Sequence, residues 1–415
     1  MQVYKFGGAS VQHADGVRNI SSIVRSAGQP LVVVVSAMGK MTNAFEELTR
    51  FYYDGKPEQL WEKFAQIVGF HHGIIADLLG GENESEGFNR LQEHLAQRLQ
   101  QAPSLHYDFE YDQLVSFGEL FSTSIISDYW QKVALQHQWV DVRTVLKTDD
   151  LYRDANVDWT LTQKMMQATF DEARGKLWLT QGFLGGTRSN LRTTLGREGS
   201  DYTAAIIAHS TGAASVAIWK DVPGVLNADP RWYTDAVKLD ELSYNEAIEL
   251  AFYGAQVIHP KTLKPLQNKG IPLYVKSFIA PDDPGTVIAD GREGDARQPI
   301  YILKDKQVFL TASPRDFSFI MEEKLVELIS YFSRFRIKMN LMQNSALNFS
   351  ACFDHNGATD ALLEALNSNF VVRYNEGVQL LTIRQYNPAA IDAMTRGREV
   401  IDSQITRKVA RFVLR

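Results

Sequence analysis

The segment KFGGAS near the start of the chain combines a lysine with two glycines, a pattern suited to binding phosphate. Lys5 can place a positive charge against phosphate oxygens, and Gly7 and Gly8 allow backbone N–H groups to approach an anion closely. The spacing is not that of a P-loop, which requires GxxxxGK[ST]. Taken alone, the segment is equally consistent with a tight strand-to-helix turn that carries a surface lysine.

Two further segments carry hydroxyl, amide and guanidinium groups. SAMGKMTN contains Thr42 and Asn43, whose side chains suit either hydrogen bonding to a ligand or capping of a helix. TTLGREGSDYTAA places Arg197, Ser200 and Asp201 in a Gly-flanked turn before a predicted helix. There a guanidinium can bind a carboxylate through two hydrogen bonds, and helix N–H groups face a ligand. The alternative is a solvated loop with an incidental ion pair.

The signal for chemistry is weaker elsewhere in the chain. In WKDVPGVLNADPR, Asp221 follows a predicted strand and Arg231 lies in a later turn, but proline and glycine alone would explain both turns. His259 is a single histidine of a kind found more often at helix ends or in cores than in catalysis. His71 and His72 are adjacent in a predicted helix and would point in different directions. We therefore predict no metal site formed by the protein alone.

Each Gly-containing segment follows a short apolar run that is typical of a buried strand. The runs are Val3–Phe6, Leu31–Val35, Leu177–Thr180 and Ala214–Trp219. Continuous Val, Ile and Leu without alternation favours strands buried on both faces, and hence an α/β fold with a largely parallel sheet between helices. Ligands of such sheets bind outside the carboxyl ends of the strands. We therefore predict that these segments meet at one edge of the sheet.

Three further regions complete the predicted organisation. Residues 44–137 carry apolar residues at helical spacing, which predicts a helical lobe over the sheet edge. The segment 281–299 is rich in Pro, Gly and Asp and indicates a domain boundary, so residues 1–290 are predicted to form a catalytic domain. Residues 300–415 contain a weak repeat, QVFLTASPRDF and VQLLTIRQYNP, and are predicted to form two tandem α+β modules of βαββαβ type.

Composition and charge argue against several classes of protein. No apolar run in the 415 residues approaches the roughly 20 residues of a membrane span. The N-terminal residues lack the basic and apolar regions of a secretory signal, so we expect none. The formal net charge of −6 argues against a general nucleic-acid binder. Cys352 has no second cysteine to pair with, which fits a reducing compartment. We expect a cytoplasmic protein that binds neither membranes nor nucleic acid.

The motifs, taken in order, resemble those of the aspartate kinases in the amino-acid kinase family. The series is KFGGAS, SAMGKMTN, SFGELFST, GREGSDYTA, KDVPGVLNADPR, GAQVIHPKT and PLYVKSFIAPDDPGT. The resemblance covers the whole chain, because that family also carries a C-terminal pair of ACT regulatory modules. It implies transfer of phosphate from ATP, with Mg²⁺, to the side chain of L-aspartate, the first step toward lysine, threonine and methionine. It also implies a homodimer or larger assembly, since ACT modules pair across subunits.

The resemblance also implies roles for individual residues. Lys5 and Asp201 would be catalytic, with Lys5 neutralising the transferring phosphate and Asp201 holding Lys5 in place. Arg197 would clamp the α-carboxylate and Glu119 would pair with the ammonium, although the sequence around Glu119 alone predicts a solvated helix carboxylate. The full substrate set is Thr42, Glu119, Arg197 and Ser200, and the nucleotide set is Lys5, Gly7, Gly8, Lys220, Asp221 and Arg231.

Five positions depart from the family pattern. Glu198 stands where a glycine is usual in GREGSD, and we expect its side chain to point away from the site. Lys220, Leu226 and Gln256 differ in the nucleotide segments, and we hypothesise that Lys220 supplies the charge missing at Gln256. Asn340 replaces an aspartate that binds an effector amine in relatives. Because an amide cannot balance an ammonium charge, we predict weak or absent feedback inhibition by lysine.

Two alternative functions remain open at the level of sequence. A kinase of the same fold could act on glutamate, acetylglutamate or a nucleoside monophosphate, although the helical lobe and the paired ACT modules favour aspartate. An amino-acid sensor that has lost kinase activity would use the ACT pair for interaction. The presence of Lys5, Glu119, Arg197 and Asp201 favours an enzyme, and nucleotide turnover separates the two classes.

Overall fold

A computed structural model describes residues 1–81, 84–171, 173, 175–255, 258–290, 298–316 and 318–415. The chain divides into two compact units. The first comprises Met1–Val225, Lys238–Ile248 and Val257–Glu293, and the second comprises Leu226–Val237, Glu249–Gln256 and Gly294–Arg415. Two short segments of the second unit therefore come from the sequence that precedes residue 290. No helix in the described residues is both long enough and apolar enough to cross a membrane.

The regular elements up to residue 290 alternate between strands and helices. In chain order they are β1 (Gln2–Phe6), α1 (Ala14–Ser26), β2 (Leu31–Val35), α2 (Met41–Tyr53), α3 (Pro57–Leu79), α4 (Glu86–Leu99), α5 (Tyr107–Val115), α6 (Phe117–Lys132), β3 (Gln138–Val140), α7 (Val142–Val145), α8 (Trp159–Thr169), β4 (Leu177–Gln181), β5 (Leu184–Gly186), β6 (Arg192–Thr194), α9 (Gly199–Thr211), β7 (Ser215–Lys220), β8 (Val225–Leu226), β9 (Lys238–Leu239), β10 (Glu241–Leu242), α10 (Tyr244–Tyr253), α11 (Pro260–Gln267), β11 (Leu273–Ser277) and β12 (Thr286–Ile288). A short 3-10 turn joins β1 to α1.

The first unit is built on an eight-stranded sheet whose centre is parallel. The strand order is β10-β12-β11-β7-β1-β2-β4-β3, and β12 is antiparallel to β11. The four predicted apolar runs form β1, β2, β4 and β7, which are neighbours and run parallel. Every residue of β2 and β4 is buried, as strands covered on both faces require. The predicted parallel α/β sheet is thus confirmed.

Helices α2 to α6 enclose an aromatic cluster of their own. The rings of Phe45 and Phe88 pack edge-on against Phe121, with centroids 5.8 and 4.7 Å away. His71 is fully buried among them, and its Nδ1 lies 2.8 Å from the carbonyl oxygen of Ile67. Burial lowers the pKa of His71 to about 4, so the ring is neutral at pH 7. This histidine is a core residue of the helical region.

The segment predicted as a linker contains a strand of the main sheet. Strand β12 pairs antiparallel with β11, with Leu273 opposite Ile288, and parallel with β10. Thr286 is buried, and its hydroxyl accepts a hydrogen bond from the Val225 N–H (2.8 Å) and donates one to the Leu239 carbonyl (2.5 Å). The prediction missed this strand because three residues flanked by turn-forming residues are too few to show the alternation of apolar and polar side chains that marks a strand. Residues 291–297 lie outside the described residues.

The C-terminal part of the second unit is a six-stranded antiparallel sheet with helices. Its elements are β13 (Ile300–Pro314), α12 (Glu322–Arg334), β14 (Met339–Asn344), β15 (Phe349–Asp354), α13 (Thr359–Asn369), β16 (Phe370–Arg384), α14 (Pro388–Thr395), β17 (Val400–Ile405) and β18 (Val409–Leu414). The strand order is β14-β15-β13-β16-β18-β17. The long strands β13 and β16 pair along their whole length, with an irregularity between Lys304 and Gln307.

The irregularity separates two halves of this sheet, each with its own core. Leu310, Phe332 and Phe353 belong to the core that α12 and α13 cover, whereas Leu381 and Phe412 belong to the core beside α14. Both halves show the strand and helix packing expected of ACT-like α+β modules. Strands β13 and β16 run through both halves, so the two modules share these strands. The module covered by α12 and α13 is therefore inserted in the sequence of the module beside α14.

Asn340 in β14 is enclosed in a polar network. Its side-chain oxygen accepts a hydrogen bond from the Lys304 ammonium (2.9 Å). Its side-chain N–H groups donate to Gln307 Oε1 (2.8 Å) and Asp354 Oδ2 (3.1 Å). Asn340 is 9% exposed. Both amide donors are therefore satisfied within the chain.

Candidate functional site

A cavity of about 700 Å³ lies at the carboxyl ends of the central strands, where the predicted loops meet. Arg231 is not among its lining residues, and its guanidinium binds the carboxylate of Asp229 within the segment 226–237. The nucleotide role of Arg231 therefore stays a prediction. The predicted site residues that line the cavity are Lys5, Gly7, Gly8, Thr42, Glu119, Arg197, Ser200, Asp201, Lys220 and Asp221.

A buried ion pair joins the central strand β1 to helix α9. The Nζ atom of Lys5, in β1, lies 2.7 Å from Oδ1 of Asp201, in the first turn of α9, and the two side chains are 11% and 4% exposed. Burial alone would raise the pKa of Asp201, but the charges of Lys5 and Lys220 outweigh it and hold that pKa below its usual value. The carboxylate therefore stays ionised, and the lysine ammonium keeps further N–H groups for an anion in the cavity.

Gly8 brings the loop after β1 against the loop after β2. A Cβ atom on Gly8 would lie 2.5 Å from the carbonyl oxygen of Gly39 and 2.8 Å from that of Ala37. The Gly39 N–H donates to the Gly8 carbonyl at 2.9 Å, so the two backbones are in direct contact. A Cβ atom on Gly7 would meet only the Nζ atom of Lys5, at 3.4 Å. The close approach of the loops thus requires glycine at position 8.

Glu119 lies near the start of α6 and is 2% exposed. Its Oε1 atom accepts a hydrogen bond from the Ala37 N–H at 3.2 Å, whereas Oε2 has no hydrogen-bond partner among the described residues. Burial raises the pKa of Glu119 to about 8, against the opposing effects of the Ala37 hydrogen bond and the Lys5 charge. The carboxyl group is therefore largely neutral at pH 7, and a cation in the cavity would favour its ionised form.

The turn that carries Arg197 is fixed through its neighbours. Glu198 has φ 55° at the N-cap of α9, and its Oε2 atom accepts a hydrogen bond from the His259 N–H at 2.9 Å. A Cβ atom on Gly182 would lie 2.4 Å from Cβ of Ser200, so this part of α9 packs directly on the strand-end loop. Arg197 itself is exposed in the cavity. His259 caps α11 through its ring, which agrees with a helix-end role.

Thr42 and Asn43 both line the cavity in the first turn of α2. The helix begins at Met41 with Lys40 at the N-cap, so neither Thr42 nor Asn43 caps it. Their side chains are placed for a ligand.

On the other side of the sheet centre, Lys220 ends β7 and lowers the pKa of Asp201. Gln256 lies outside the described residues, so the hypothesis that Lys220 compensates for it is untested.

Sequence reasoning missed several residues that line the cavity. The Tyr111 hydroxyl donates to Oε1 of Glu46 at 2.6 Å, and the Arg153 guanidinium lies 4.6 Å from the centre of the Tyr111 ring. Tyr111 and Arg153 belong to no Gly-containing turn, so no local pattern marked them. Glu46 follows Thr42 by four residues on α2, and this helical spacing could have placed both on one face.

Replacing Gly8 by alanine tests the close approach of the two loops. The new methyl group would overlap two backbone oxygens, so both loops must shift. We expect Gly8→Ala to lose roughly 1–3 kcal/mol of stability, the usual cost of overpacking, and to lose affinity for inorganic triphosphate. Gly7→Ala is the matched control for stability, because its methyl group meets only the flexible end of Lys5. Thermal unfolding measures the stability and calorimetry the affinity of Gly8→Ala, and equal losses of stability in the two variants would contradict the interpretation.

Comparison with protein families and curated proteins gives a consistent result. The model of the amino acid kinase family matches residues 1–277. Lysine-sensitive aspartokinase 3 of Escherichia coli (strain K12) is 32% identical over 397 residues, which cover 92% of this chain and 86% of that protein.

Comparison with solved structures extends the similarity over the whole chain. E. coli aspartokinase III in complex with lysine and aspartate, in the T-state, matches with a TM-score of 0.84 and 29% identity, over 100% of this chain and 95% of that one. The same enzyme with aspartate and ADP, in the R-state, matches with a TM-score of 0.81 and 28% identity, over 100% and 96%. The chain belongs to the amino acid kinase family and, within it, to the aspartokinases.

Proposed function

We propose that this protein is an aspartate kinase, which transfers the terminal phosphoryl group of ATP to the side-chain carboxylate of L-aspartate. The observation that carries the proposal is that one cavity contains the Lys5–Asp201 pair together with Arg197 and Glu119. The ion pair suits phosphoryl transfer, and the other two suit the carboxylate and ammonium of an amino acid. The binding of aspartate and ADP by the related E. coli enzyme supports the same substrates here.

The reaction depends on charge and position rather than on acid–base chemistry. A side-chain carboxylate with a pKa near 4 is already ionised at neutral pH and attacks the γ-phosphorus directly. The new O–P bond forms as the bond to the β,γ-bridging oxygen breaks, which gives 4-phospho-L-aspartate and ADP. Lys5, held by Asp201, and the backbone N–H groups at Gly7 and Gly8 neutralise the oxygens of the moving group.

The substrate amino acid is bound through its α-carboxylate and its α-ammonium group. Arg197 binds the α-carboxylate with its planar guanidinium, and Glu119 pairs with the ammonium through the carboxyl group that has an unpartnered Oε2. The hydroxyl groups of Thr42 and Ser200 complete the pocket. These contacts leave the side-chain carboxylate of the substrate directed toward Lys5.

ATP and Mg²⁺ would bind at the side of the cavity that Lys220 and Asp221 line, the nucleotide side. Among the described residues, no group of three or more His, Cys, Asp or Glu side chains is arranged to hold a metal ion. Magnesium commonly binds through one or two carboxylates and the substrate phosphates, so Asp221, which is exposed in the cavity, would hold the ion together with the phosphates. The ion would supply positive charge at the β- and γ-phosphate oxygens. Lys220 lies next to Asp221 on the same side.

We also propose that residues 1–290 act as the catalytic domain and residues 300–415 as an ACT-like regulatory pair. Through this pair the chain would form a homodimer or a larger assembly in the cytoplasm. Asn340 uses both its side-chain N–H groups on Gln307 and Asp354, and it offers no carboxylate to an effector ammonium. This supports the predicted weak or absent response to lysine.

Trapping the acyl phosphate with hydroxylamine tests the proposed reaction. With ATP, Mg²⁺ and L-aspartate, the protein should form aspartyl hydroxamate. Lys5→Ala should slow formation by roughly a hundredfold or more, because it removes the fixed charge that meets the phosphoryl oxygens. Lys40→Ala is the control, since Lys40 is exposed and does not line the cavity. Phosphorylation of glutamate but not aspartate would show that the substrate assignment is wrong. Absence of any nucleotide turnover would favour the alternative function, an amino-acid sensor without kinase activity.

The ionisation of Glu119 makes aspartate binding depend on pH. The carboxyl group must lose its proton to pair with the substrate ammonium, and its pKa of about 8 means that most of it is neutral at pH 7. The KM for L-aspartate should therefore fall about tenfold between pH 7 and pH 9, while the KM for ATP changes little. In Glu119→Gln the KM for L-aspartate should be higher and independent of pH in this range. A wild-type KM for L-aspartate that stays constant from pH 7 to pH 9 would contradict this assignment.

A further inference from the structure

Arg153 presents a second guanidinium to the cavity near Arg197, Tyr111 and Glu46, and this region is called the amino-acid side below. Its side chain lines the cavity and is 48% exposed. Its backbone has φ 70°, a left-handed conformation that is strained for a residue other than glycine. Surrounding contacts must therefore hold the loop in this conformation.

Asp112 provides the contacts that hold the Arg153 backbone. This carboxylate is completely buried, and its two oxygens lie 3.2 and 3.1 Å from the Arg153 N–H. It also accepts hydrogen bonds from the N–H and the hydroxyl of Thr194, at 2.9 and 2.7 Å. Asp112 thus joins α5, β6 and the loop of Arg153 in one network.

The same network places Arg153 beside the turn of Arg197. A Cβ atom on Gly196, the residue before Arg197, would lie 3.2 Å from the carbonyl oxygen of Arg153 and 2.7 Å from Oδ1 of Asp154. The two loops are therefore in contact, and their arginine side chains line one cavity. Two guanidinium groups on touching loops suit a single anionic group between them.

An aromatic side chain orients the Arg153 guanidinium. The guanidinium lies 4.6 Å from the ring centre of Tyr111, and the hydroxyl of Tyr111 donates a hydrogen bond to Glu46. Asp108 accepts one guanidinium hydrogen bond at 3.0 Å, the one side-chain hydrogen bond of Arg153 within the described residues. A guanidinium has five N–H groups, so donors remain for a ligand.

The charges around the amino-acid side require a second cation. Glu46, Glu119 and Glu198 line this side of the cavity and would repel an incoming carboxylate, although Glu119 is largely neutral before a ligand binds. Arg197 brings one guanidinium to this side, where the α-carboxylate of the substrate would join the carboxyl groups of these glutamates. Arg153, beside Tyr111 and Glu46, supplies the missing positive charge.

We propose that Arg153 is a specificity-determining residue that, together with Arg197, binds the α-carboxylate of the amino-acid substrate and selects against substrates that lack it. This inference rests on the proposed aspartate kinase function and deepens it. Arg153 takes no part in the phosphoryl transfer itself. Its loss should weaken recognition of the α-carboxylate while leaving nucleotide binding and the chemical step in place.

The test compares L-aspartate with its α-amide, which keeps the reacting side-chain carboxylate but has no α-carboxylate charge. In Arg153→Gln, the KM for L-aspartate should rise about tenfold, or about 1.4 kcal/mol, with kcat and the KM for ATP within about twofold of wild type. The kcat/KM for the α-amide should change less than about twofold. Arg153→Lys keeps the positive charge but not the planar guanidinium, so its KM for L-aspartate should lie between those of the wild type and Arg153→Gln.

Asp108→Asn is the matched control, because it removes the ion pair of Arg153 and leaves the guanidinium in place. It should keep the preference for L-aspartate over the α-amide. Equal losses of Arg153→Gln on both substrates, or a raised KM for ATP, would show that Arg153 only supports the loop and would overturn the proposal.

Calorimetric binding of L-aspartate separates this proposal from the proposed function. If the wild type binds L-aspartate but does not phosphorylate it, the kinase assignment fails, and a tenfold weaker Kd in Arg153→Gln would still support the role of Arg153. An unchanged Kd would overturn that role. Absence of L-aspartate binding to the wild type would overturn both.

Discussion

The buried ion pair between Lys5 and Asp201 is the interaction on which the arrangement of the site depends. It joins the central strand β1 to the first turn of α9, and so it links the loop of Gly7 and Gly8 to the turn of Arg197. A buried ammonium without a partner would be costly, whereas the Lys5 ammonium lies 2.7 Å from the Asp201 carboxylate. The fixed positive charge is then present before the phosphate arrives, as electrostatic catalysis requires.

Two buried carboxyl groups in one cavity are held in opposite states by their surroundings. Asp201 lies beside Lys5 and near Lys220, which keep its pKa low, whereas burial raises the pKa of Glu119 to about 8 despite the hydrogen bond that it accepts from the Ala37 N–H. The first serves as a permanent counter-ion. The second becomes a counter-ion only when an ammonium enters the cavity.

The amino-acid sequence predicted the parts of the fold that depend on continuous local patterns. The all-apolar run LVVVV at Leu31–Val35 identifies a doubly buried strand, and the glycine-rich turns mark the edge where ligands bind. Strand β12 escaped notice because three residues carry no readable period. Tyr111 and Arg153 reach the cavity through tertiary packing of α5 and a left-handed loop, which no spacing in the sequence records. Glu119 was found only because SFGEL belongs to a family motif.

A double-mutant cycle on Lys5 and Asp201 tests whether the carboxylate acts by holding the charged lysine in place. Single-turnover rates of phosphoryl transfer from ATP to L-aspartate would be measured for Lys5→Met, Asp201→Asn and the double variant. If Asp201 acts by holding the charged lysine, the double variant should be no slower than Lys5→Met, because the carboxylate has no further role once the ammonium is absent. Losses that multiply fully in the double variant would show that the two residues act independently and would contradict the account.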